Sequence, residues 1–202
     1  MEKKYKLTKE TINVVSKTLY RIEALRDFND VKKGDKGGFI EKEENLSQSD
    51  NCWVYGNARV FDKARVFDKA KVYGHAEIFD DAKVYDDAKI YGLAWVYRNA
   101  EVCGSAEVCG DARICGDAKV ESNGDYIVFK NWWSSGRYFT WTKSNDMWKV
   151  GCFYGTGKEL IDKAYRDSEI SGREYERIVK YVEAINNDKV THWMPLPDLP
   201  TD

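Results

Sequence analysis

Three cysteines stand six residues apart in the stretch AEVCGSAEVCGDARICGDAK, residues 100–119, and each is followed by glycine. They are Cys103, Cys109 and Cys115. Even spacing of this kind is typical of a zinc site built from thiolates or of a redox pair of thiols. The chain holds five cysteines, an odd number, and a reducing cytoplasm would keep them as free thiols. Which chemistry applies depends on where the fold places the three sulfur atoms.

Two histidines and a run of carboxylates are the other residues whose side chains could act in catalysis or bind a metal. A zinc site with three histidines cannot form within one chain, because His75 and His192 are its only histidines. The stretch FDDAKVYDDAK carries two acidic pairs, Asp80-Asp81 and Asp86-Asp87. A solvated rim is the simplest interpretation of these pairs, and a cation site or an acidic contact with a partner is the alternative. A phosphate-binding glycine loop, a nucleophile elbow and an HExxH motif are all absent.

A repeat of six residues organises the chain and determines where these side chains lie. Eleven consecutive hexads start at Val54 and read VYGNAR, VFDKAR, VFDKAK, VYGHAE, IFDDAK, VYDDAK, IYGLAW, VYRNAE, VCGSAE, VCGDAR and ICGDAK. Each begins with a branched aliphatic residue, continues with Tyr, Phe or Cys, and has alanine at the fifth position. A fixed short period indicates stacked structural units, and a period of six is typical of a parallel β-helix.

Strand alternation assigns an orientation to each position of the hexad. In residues 58–61 the side chains of Ala and Val point inward while those of Arg and Phe point outward. The next two residues turn a corner, where Gly, Asn and Asp best tolerate a positive φ. Glycine recurs at the third position every eighteen residues, at Gly56, Gly74, Gly92 and Gly110. This spacing predicts a three-sided coil of eighteen residues, with coils about 4.8 Å apart.

The hexads resemble those of the hexapeptide-repeat proteins, whose fold is the left-handed parallel β-helix. This resemblance covers residues 54–120 and implies the fold, whereas the family includes acyltransferases, carbonic anhydrase-like enzymes and proteins without known chemistry. The whole chain also resembles hexapeptide-repeat proteins of phages and prophages, through stretches such as YKLTKETI, VKKGDKGGFIEKEENLSQ and TWTKSNDMWKVGCFYGTGKEL.

The segments on both sides of the repeat should cover its ends, because open strand edges pair with other chains. We predict a mainly β protein with an N-terminal β cap (1–45), a left-handed β-helix (46–120), a small α+β module (121–188) and an extended tail (189–202). The module should contain three strands, near 125–131, 137–144 and 147–153, and two helices that begin at the capping boxes Thr156/Glu159 and Ser171/Glu174.

Rows of aromatic side chains are expected on the outside of the coils, and large exposed apolar surface usually marks an interface. We predict one binding face, which meets another subunit, the C-terminal module or a target, and which consists of Phe61, Phe79, Leu93, Trp95, Tyr97 and His75. Trp132 and Trp133 are a second binding candidate, because adjacent residues of a strand point to opposite sides.

Composition narrows the range of partners. The chain has 32 basic and 34 acidic residues and a net charge of −2, which removes the electrostatic signature of nucleic-acid binding. It has no apolar run near the roughly 20 residues that cross a bilayer and no secretion signal, so we expect a protein of the bacterial cytoplasm that does not bind membranes. We predict no cofactor, no metal and no catalytic residue, and a small-molecule ligand has no support in the sequence.

The phage resemblance implies a non-enzymatic binding and assembly protein. Its partner would be a host protein, such as a component of anti-phage defence that it inhibits, or its own subunits in a homotrimer or another homo-oligomer. One alternative is a hexapeptide-repeat acyltransferase with His75 as the base, and another is a structural virion or polymer-forming component.

The coil also answers the question about the cysteines. Three thiols six residues apart in an eighteen-residue coil lie on three different outer faces, too far apart to share one zinc ion or to form a disulfide. Each continues an aromatic column, with Cys103 after Tyr85, Cys109 after Tyr91 and Cys115 after Tyr97. We expect the C-terminal module or a neighbouring subunit to pack closely against this last coil.

Overall fold

The hexads form a parallel β-solenoid in a computed structural model that describes residues 2–187. Each side of a coil contributes one strand of two residues. The strands are β4 (Trp53–Val54), β5 (Arg59–Val60), β6 (Arg65–Val66), β7 (Lys71–Val72), β8 (Glu77–Ile78), β9 (Lys83–Val84), β10 (Lys89–Ile90), β11 (Trp95–Val96), β12 (Glu101–Val102), β13 (Glu107–Val108), β14 (Arg113–Ile114) and β15 (Lys119–Val120).

Three parallel sheets form the sides of the solenoid. Face 1 contains β4, β7, β10 and β13, face 2 contains β5, β8, β11 and β14, and face 3 contains β6, β9, β12 and β15. Partners in neighbouring coils are eighteen residues apart, as Trp53 and Lys71 on face 1 illustrate. The mainly β solenoid predicted from the hexads is therefore confirmed.

Small and branched side chains fill the interior. The alanine at the fifth position and the aliphatic residue at the first position of the hexads are fully or almost fully buried throughout the repeat. Backbone hydrogen bonds join each coil to the next, for example from Arg59 N–H to Ala76 O at 2.9 Å and from Phe61 N–H to Ile78 O at 3.0 Å. The inward and outward positions match those expected from alternation along a strand.

The corners have the predicted left-handed backbone. The third residue of every hexad has φ between 55° and 75°, whether it is Gly, Asp or, in one hexad, Arg98. The glycines that recur every eighteen residues stack in one corner. A Cβ on Gly92 would lie 3.0 Å from the nitrogen of Gly110, so that corner needs glycine for space as well as for φ.

The N-terminal strands are β1 (Tyr5–Val14), β2 (Lys17–Ala24) and β3 (Lys36–Ile40). β1 and β2 form an antiparallel hairpin, β2 pairs with β3, and β3 pairs in parallel with β5, which makes five parallel strands on face 2 and about five turns in all. Coil stacking thus begins earlier than the hexads do. At Gly37 and Gly38 a Cβ would lie 2.5 Å from a carbonyl oxygen, and Gly38 stands where the register with β5 places the inward Ala58 of the next coil.

After the repeat, an antiparallel sheet packs on the last coil. It contains β16 (Tyr126–Lys130), β17 (Tyr138–Thr142), β18 (Met147–Val150) and β19 (Phe153–Gly155), one strand more than predicted. Side chains beyond the repeat accept hydrogen bonds from backbone N–H groups of the last coil, which has no further coil to pair with. Asn123 accepts from the N–H of Glu107 at 2.7 Å, and Thr140 accepts from the N–H of Arg113 at 3.0 Å. Ser144 accepts from Lys119 at 2.7 Å. The sheet belongs to the same compact unit as the coils, residues 1–156.

A second compact unit begins at Gly157 and contains α1 (Gly157–Asp167) and α2 (Glu169–Asn187). α1 begins directly after Thr156, at the first predicted capping box. The predicted start of the second helix at Ser171 is wrong, because Ser168 accepts the N–H of Ser171 at 3.1 Å and α2 begins two residues earlier. Neither helix within residues 2–187 is long and apolar enough to cross a bilayer. The predicted tail, 189–202, lies outside the described residues.

Candidate functional site

The three evenly spaced cysteines lie on three different sides of the last coil. Cys103 follows β12 on face 3, Cys109 follows β13 on face 1 and Cys115 follows β14 on face 2. Cys103 and Cys115 are buried and Cys109 is half-buried, and all three are free thiols. Within residues 2–187 no group of three or more Cys, His, Asp and Glu side chains is placed to hold a metal ion.

The carboxylates of the two acidic pairs are bonded within the solenoid. Asp80 accepts the backbone N–H of Arg98 at 3.0 Å, and Asp86 accepts that of Gly104 at 3.0 Å. Asp81 and Asp87 each pair with a lysine of the preceding coil, at 3.6 and 3.7 Å. The pairs are therefore corner supports of the fold, and nothing in their geometry favours a cation site.

An aromatic ladder runs along face 2, as the columns predict. Phe61 stacks on Phe79 with ring centroids 5.2 Å apart, and Phe79 stacks on Tyr97 at 4.9 Å. Trp95 sits beside the ladder and presents its edge to Phe79 at 5.9 Å. Phe79 and Trp95 are half-buried.

The two ends of this ladder are buried. Phe61 packs with Leu19 and Phe39 of the N-terminal strands and is buried. At the other end Tyr97 is buried, and the phenol of Tyr154 lies so close to Gly116 that no Cβ would fit there. The expectation that the whole column stands exposed is wrong for Phe61 and Tyr97. The N-terminal strands cover Phe61, whereas Tyr97 packs against Phe79 and Trp95 of the repeat itself.

An exposed corner between faces 1 and 2 carries the remaining residues of the predicted face. The backbone N–H of His75 donates to Gly92 O at 2.9 Å, which fixes the chain beneath an exposed imidazole. Leu93, one coil further on, is 56% exposed. No described residue forms a hydrogen bond or ion pair with the imidazole. His75 and Leu93 are therefore the exposed residues of the predicted face, whereas Phe79 and Trp95 are half-buried.

The two adjacent tryptophans lie in the turn between β16 and β17 and not in a strand. Trp132 is 74% exposed, whereas Trp133 is half-buried and contacts Phe139 with ring centroids 6.3 Å apart. Their own rings meet edge to face at 5.9 Å. The pair therefore has one outward ring and one packed ring, as expected, although a turn and not strand alternation separates them.

Sequence analysis missed a cluster of cationic side chains at the C-terminal end of face 2. The guanidinium of Arg113 lies over the Trp95 ring at 4.5 Å, and that of Arg98 lies over the Tyr154 ring at 5.0 Å. Lys149 of β18 belongs to the same cluster, since its pKa is lowered by burial and also by repulsion from both arginines. No repeat or motif in the sequence connects these arginines to Lys149, which comes from another element.

Comparison with known proteins yields one short similarity. No family model matches the chain. A 37-residue stretch is 51% identical to a protein of Escherichia coli (strain K12) named "Uncharacterized acetyltransferase YdcK". This stretch covers 18% of the chain and 11% of the length of that relative.

The similarity corrects the expectation that the protein is not an enzyme. The relative is named an acetyltransferase, and the stacked coils are compatible with the fold of hexapeptide-repeat acyltransferases. Because 18% of the chain is covered, the activity itself stands as a proposal. Neither the fold nor the similarity supports the expected link to phages or to the inhibition of host defence.

Proposed function

We propose that the protein is a hexapeptide-repeat acyltransferase and that His75 is its general base. The similarity to the named acetyltransferase carries this proposal. The regular solenoid supports it, since hexapeptide-repeat acyltransferases, which the hexads resemble, use a histidine on a scaffold of this kind.

His75 has the chemistry for this role. A neutral imidazole accepts the proton of an acceptor hydroxyl or amine as that group attacks the carbonyl carbon of an acyl thioester. The carbon–sulfur bond then breaks, and the imidazolium returns the proton to the departing thiolate. The products are the acylated acceptor and a free thiol, so atoms and charge balance.

The surroundings of His75 suit a substrate that combines a polar reacting group with an apolar part. The imidazole is exposed and its backbone is held by the next coil. Leu93 is largely exposed on the same corner column, and half-buried Trp95 follows it on face 2. These two side chains offer apolar surface to an acyl chain, while the imidazole remains open to water and substrate.

A second copy of the chain is part of the proposal, because hexapeptide-repeat acyltransferases place their histidine at a subunit boundary in a trimer. The N-terminal strands cover one end of face 2, so face 1 is the side of the corner that a second copy would meet. Tyr55 and Tyr73 stack on face 1 with ring centroids 4.5 Å apart. Light scattering during gel filtration should give a trimer, and Tyr73→Glu should shift it toward monomer.

Turnover of acetyl-coenzyme A tests the activity. The purified protein is incubated with acetyl-coenzyme A and a panel of hydroxyl and amine acceptors, and free coenzyme A is quantified by chromatography. The wild type should release coenzyme A in the presence of an acceptor. His75→Gln should slow the release by about 100-fold or more, the contribution typical of a general base.

Asn57→Gln is the matched control, because Asn57 lies on the same corner column one coil away and is also exposed. It should keep at least half of the wild-type rate. If His75→Gln retains the full rate, His75 is not the base. If no acceptor supports release by the wild type at any protein concentration, the acyltransferase proposal is wrong.

A further inference from the structure

The cationic cluster at the C-terminal end of face 2 is built from two separate parts of the fold. Arg98 and Arg113 come from the last coils, at a corner and on β14. Lys149 comes from β18, where it lies opposite Thr140 on one side and Tyr154 on the other. Thr140 accepts a hydrogen bond from the backbone N–H of Arg113 at 3.0 Å, and the guanidinium of Arg98 lies over the ring of Tyr154. The register therefore sets the lysine between the two arginines.

Two aromatic rings hold the guanidinium groups in place. Arg113 lies over Trp95 at 4.5 Å and Arg98 lies over Tyr154 at 5.0 Å. A guanidinium over a ring face is attracted to it and can still donate N–H groups to an oxyanion, with two parallel hydrogen bonds in the best geometry. The two rings therefore favour positions of the arginines in which they can still bind an anion.

The cations of this cluster have no ion-pair partner. Arg98, Arg113 and Lys149, and Arg137 nearby, form no ion pair with any described carboxylate. Burial, followed by repulsion from Arg98 and Arg113, lowers the pKa of Lys149. Like charges held near one another repel, and a bound anion would offset this repulsion.

A groove on face 1 shows the opposite arrangement and serves as a comparison within the same molecule. Its lysines each have an acidic partner: Lys71 pairs with Asp30 at 2.8 Å and Lys89 pairs with Glu107 at 2.8 Å. The lysines of this groove are therefore neutralised by ion pairs, whereas the cations of the cluster on face 2 are not paired.

A small cavity opens beside the cluster. It measures about 190 Å³ and is lined by Asp111, Arg113, Arg137, Tyr138 and Gly151. Pockets for drug-sized ligands measure about 300–1,000 Å³, so this cavity suits a group of the size of a phosphate and not a whole cofactor. The carboxylate of Asp111 lines the same cavity and would repel an anion on its side, which leaves the side of the arginines for binding.

We propose that Arg98, Arg113 and Lys149, with Arg137 at the cavity, form an anion-binding site for a phosphoryl group, either inorganic phosphate or the phosphate of a small phosphomonoester. Two planar guanidinium forks and one ammonium match the charge and the tetrahedral oxygens of such a dianion. The proposal concerns binding and does not depend on acyl transfer at His75.

Thermal unfolding of the full chain tests the site. The Tm is measured with rising inorganic phosphate, phenyl phosphate, acetate or chloride at equal ionic strength, for the wild type, Lys149→Met, Arg113→Gln and the control Lys32→Gln. Lys32 is exposed, and its removal changes the net charge equally at a distant loop. A ligand that binds the native state raises its Tm with concentration.

We expect phosphate or phenyl phosphate to raise the Tm of the wild type and of Lys32→Gln more than chloride or acetate does. A larger shift with phenyl phosphate identifies a phosphomonoester as the ligand, and a larger shift with phosphate identifies the free ion. Lys149→Met and Arg113→Gln should weaken the apparent affinity by at least about tenfold, equivalent to about 1.4 kcal/mol.

A second measurement separates a binding site from a structural cluster. Without phosphate, Lys149→Met should have a higher Tm than the wild type, because it removes one of three repelling charges and keeps an apolar stem. The proposal is overturned if phosphate and phenyl phosphate do no more than chloride, or if both cluster variants respond as the wild type does. A lower Tm of Lys149→Met without phosphate also contradicts it.

Discussion

The Oδ2 atom of Asp80 accepts the backbone N–H of Arg98, one coil further along, at 3.0 Å. Asp86 and Gly104 repeat this bond at the next corner, also at 3.0 Å. Because Asp80 itself has a φ of 57°, one residue both turns the corner and ties it to the neighbouring coil. Aspartate can therefore occupy the corner position as glycine does, and it adds a hydrogen bond to the next coil.

Removing the Asp80 carboxylate should weaken the solenoid. Asp80→Ala loses the hydrogen bond to Arg98, whereas the cost of a Cβ at positive φ is already present with aspartate and does not change. We expect the free energy of unfolding in urea to fall by about 1–2 kcal/mol, the cost of one lost hydrogen bond to a charged group. Asp81→Ala, at the same corner with an exposed ion pair, should change it by less than about 0.5 kcal/mol. Equal losses in the two variants would refute the role of the bond.

The glycine column allows a test of close packing with an internal control. A Cβ on Gly92 would lie 3.0 Å from the nitrogen of Gly110, whereas a Cβ on Gly110 would meet nothing within 4 Å. Both residues have positive φ, so Gly110→Ala should cost about 1–2 kcal/mol and Gly92→Ala should cost more. Urea unfolding measures both values. A Gly110→Ala variant that is as destabilised as Gly92→Ala would contradict the difference in space.

Acid should weaken the ion pair between Lys83 and Glu101 on face 3. A hydrogen bond from Lys83 at 2.8 Å lowers the pKa of Glu101 below its usual value of 4.5. The contribution of Glu101 to stability is therefore complete above pH 4.5 and is lost as the pH falls from there through the lowered pKa. Glu101→Gln should flatten the loss of stability below pH 4.5 and cost less than about 1 kcal/mol at pH 7.

Lys83→Met serves as the companion variant for this ion pair, because it removes the donor and leaves the carboxylate of Glu101 in place. It should flatten the acid dependence in part, because Tyr85 still donates a hydrogen bond to Glu101 at 3.1 Å. A steeper loss below pH 4.5 in either variant would show that the interaction does not stabilise the native protein.

Alkylation should distinguish the cysteines by burial. Cys152 is exposed, Cys109 is half-buried, and Cys52, Cys103 and Cys115 are buried. Burial raises the pKa of the Cys52 and Cys115 thiols, which lowers the fraction of reactive thiolate. Mass spectrometry after a short exposure to maleimide should find Cys152 modified first and the three buried thiols unmodified until urea is added. Early modification of Cys115 would show that the sheet does not cover it.

The repeat could be predicted because it is local. Alanine and a branched aliphatic residue return at fixed positions, and strand alternation points both inward whatever the rest of the chain does. The eighteen-residue coil followed from Gly56, Gly74, Gly92 and Gly110 in the same way. The separation of the three cysteines onto three faces needed no further information.

Contacts between distant segments could not be predicted from the pattern. The N-terminal strands extend the stack with glycines at Gly37 and Gly38, where the alanine of the hexad is absent. The burial of Phe61 also comes from strands outside the repeat, which have no periodic signal of their own. An outward position in a hexad therefore indicates a direction and not exposure.

The exposed His75 was a candidate from its type and its corner position alone, and the structure adds that its backbone is held while its imidazole stays open. The cluster of Arg98, Arg113 and Lys149 had no such signal. Two of these residues belong to the coils and the third to β18, so tertiary packing alone brings the three charges together. The sequence by itself determined the coil, its corners and its inward residues, because these depend on backbone geometry within a few residues. Only the tertiary structure decided which outward residues are covered and which charges meet, because both depend on how segments far apart in the chain fold against the first and the last coils.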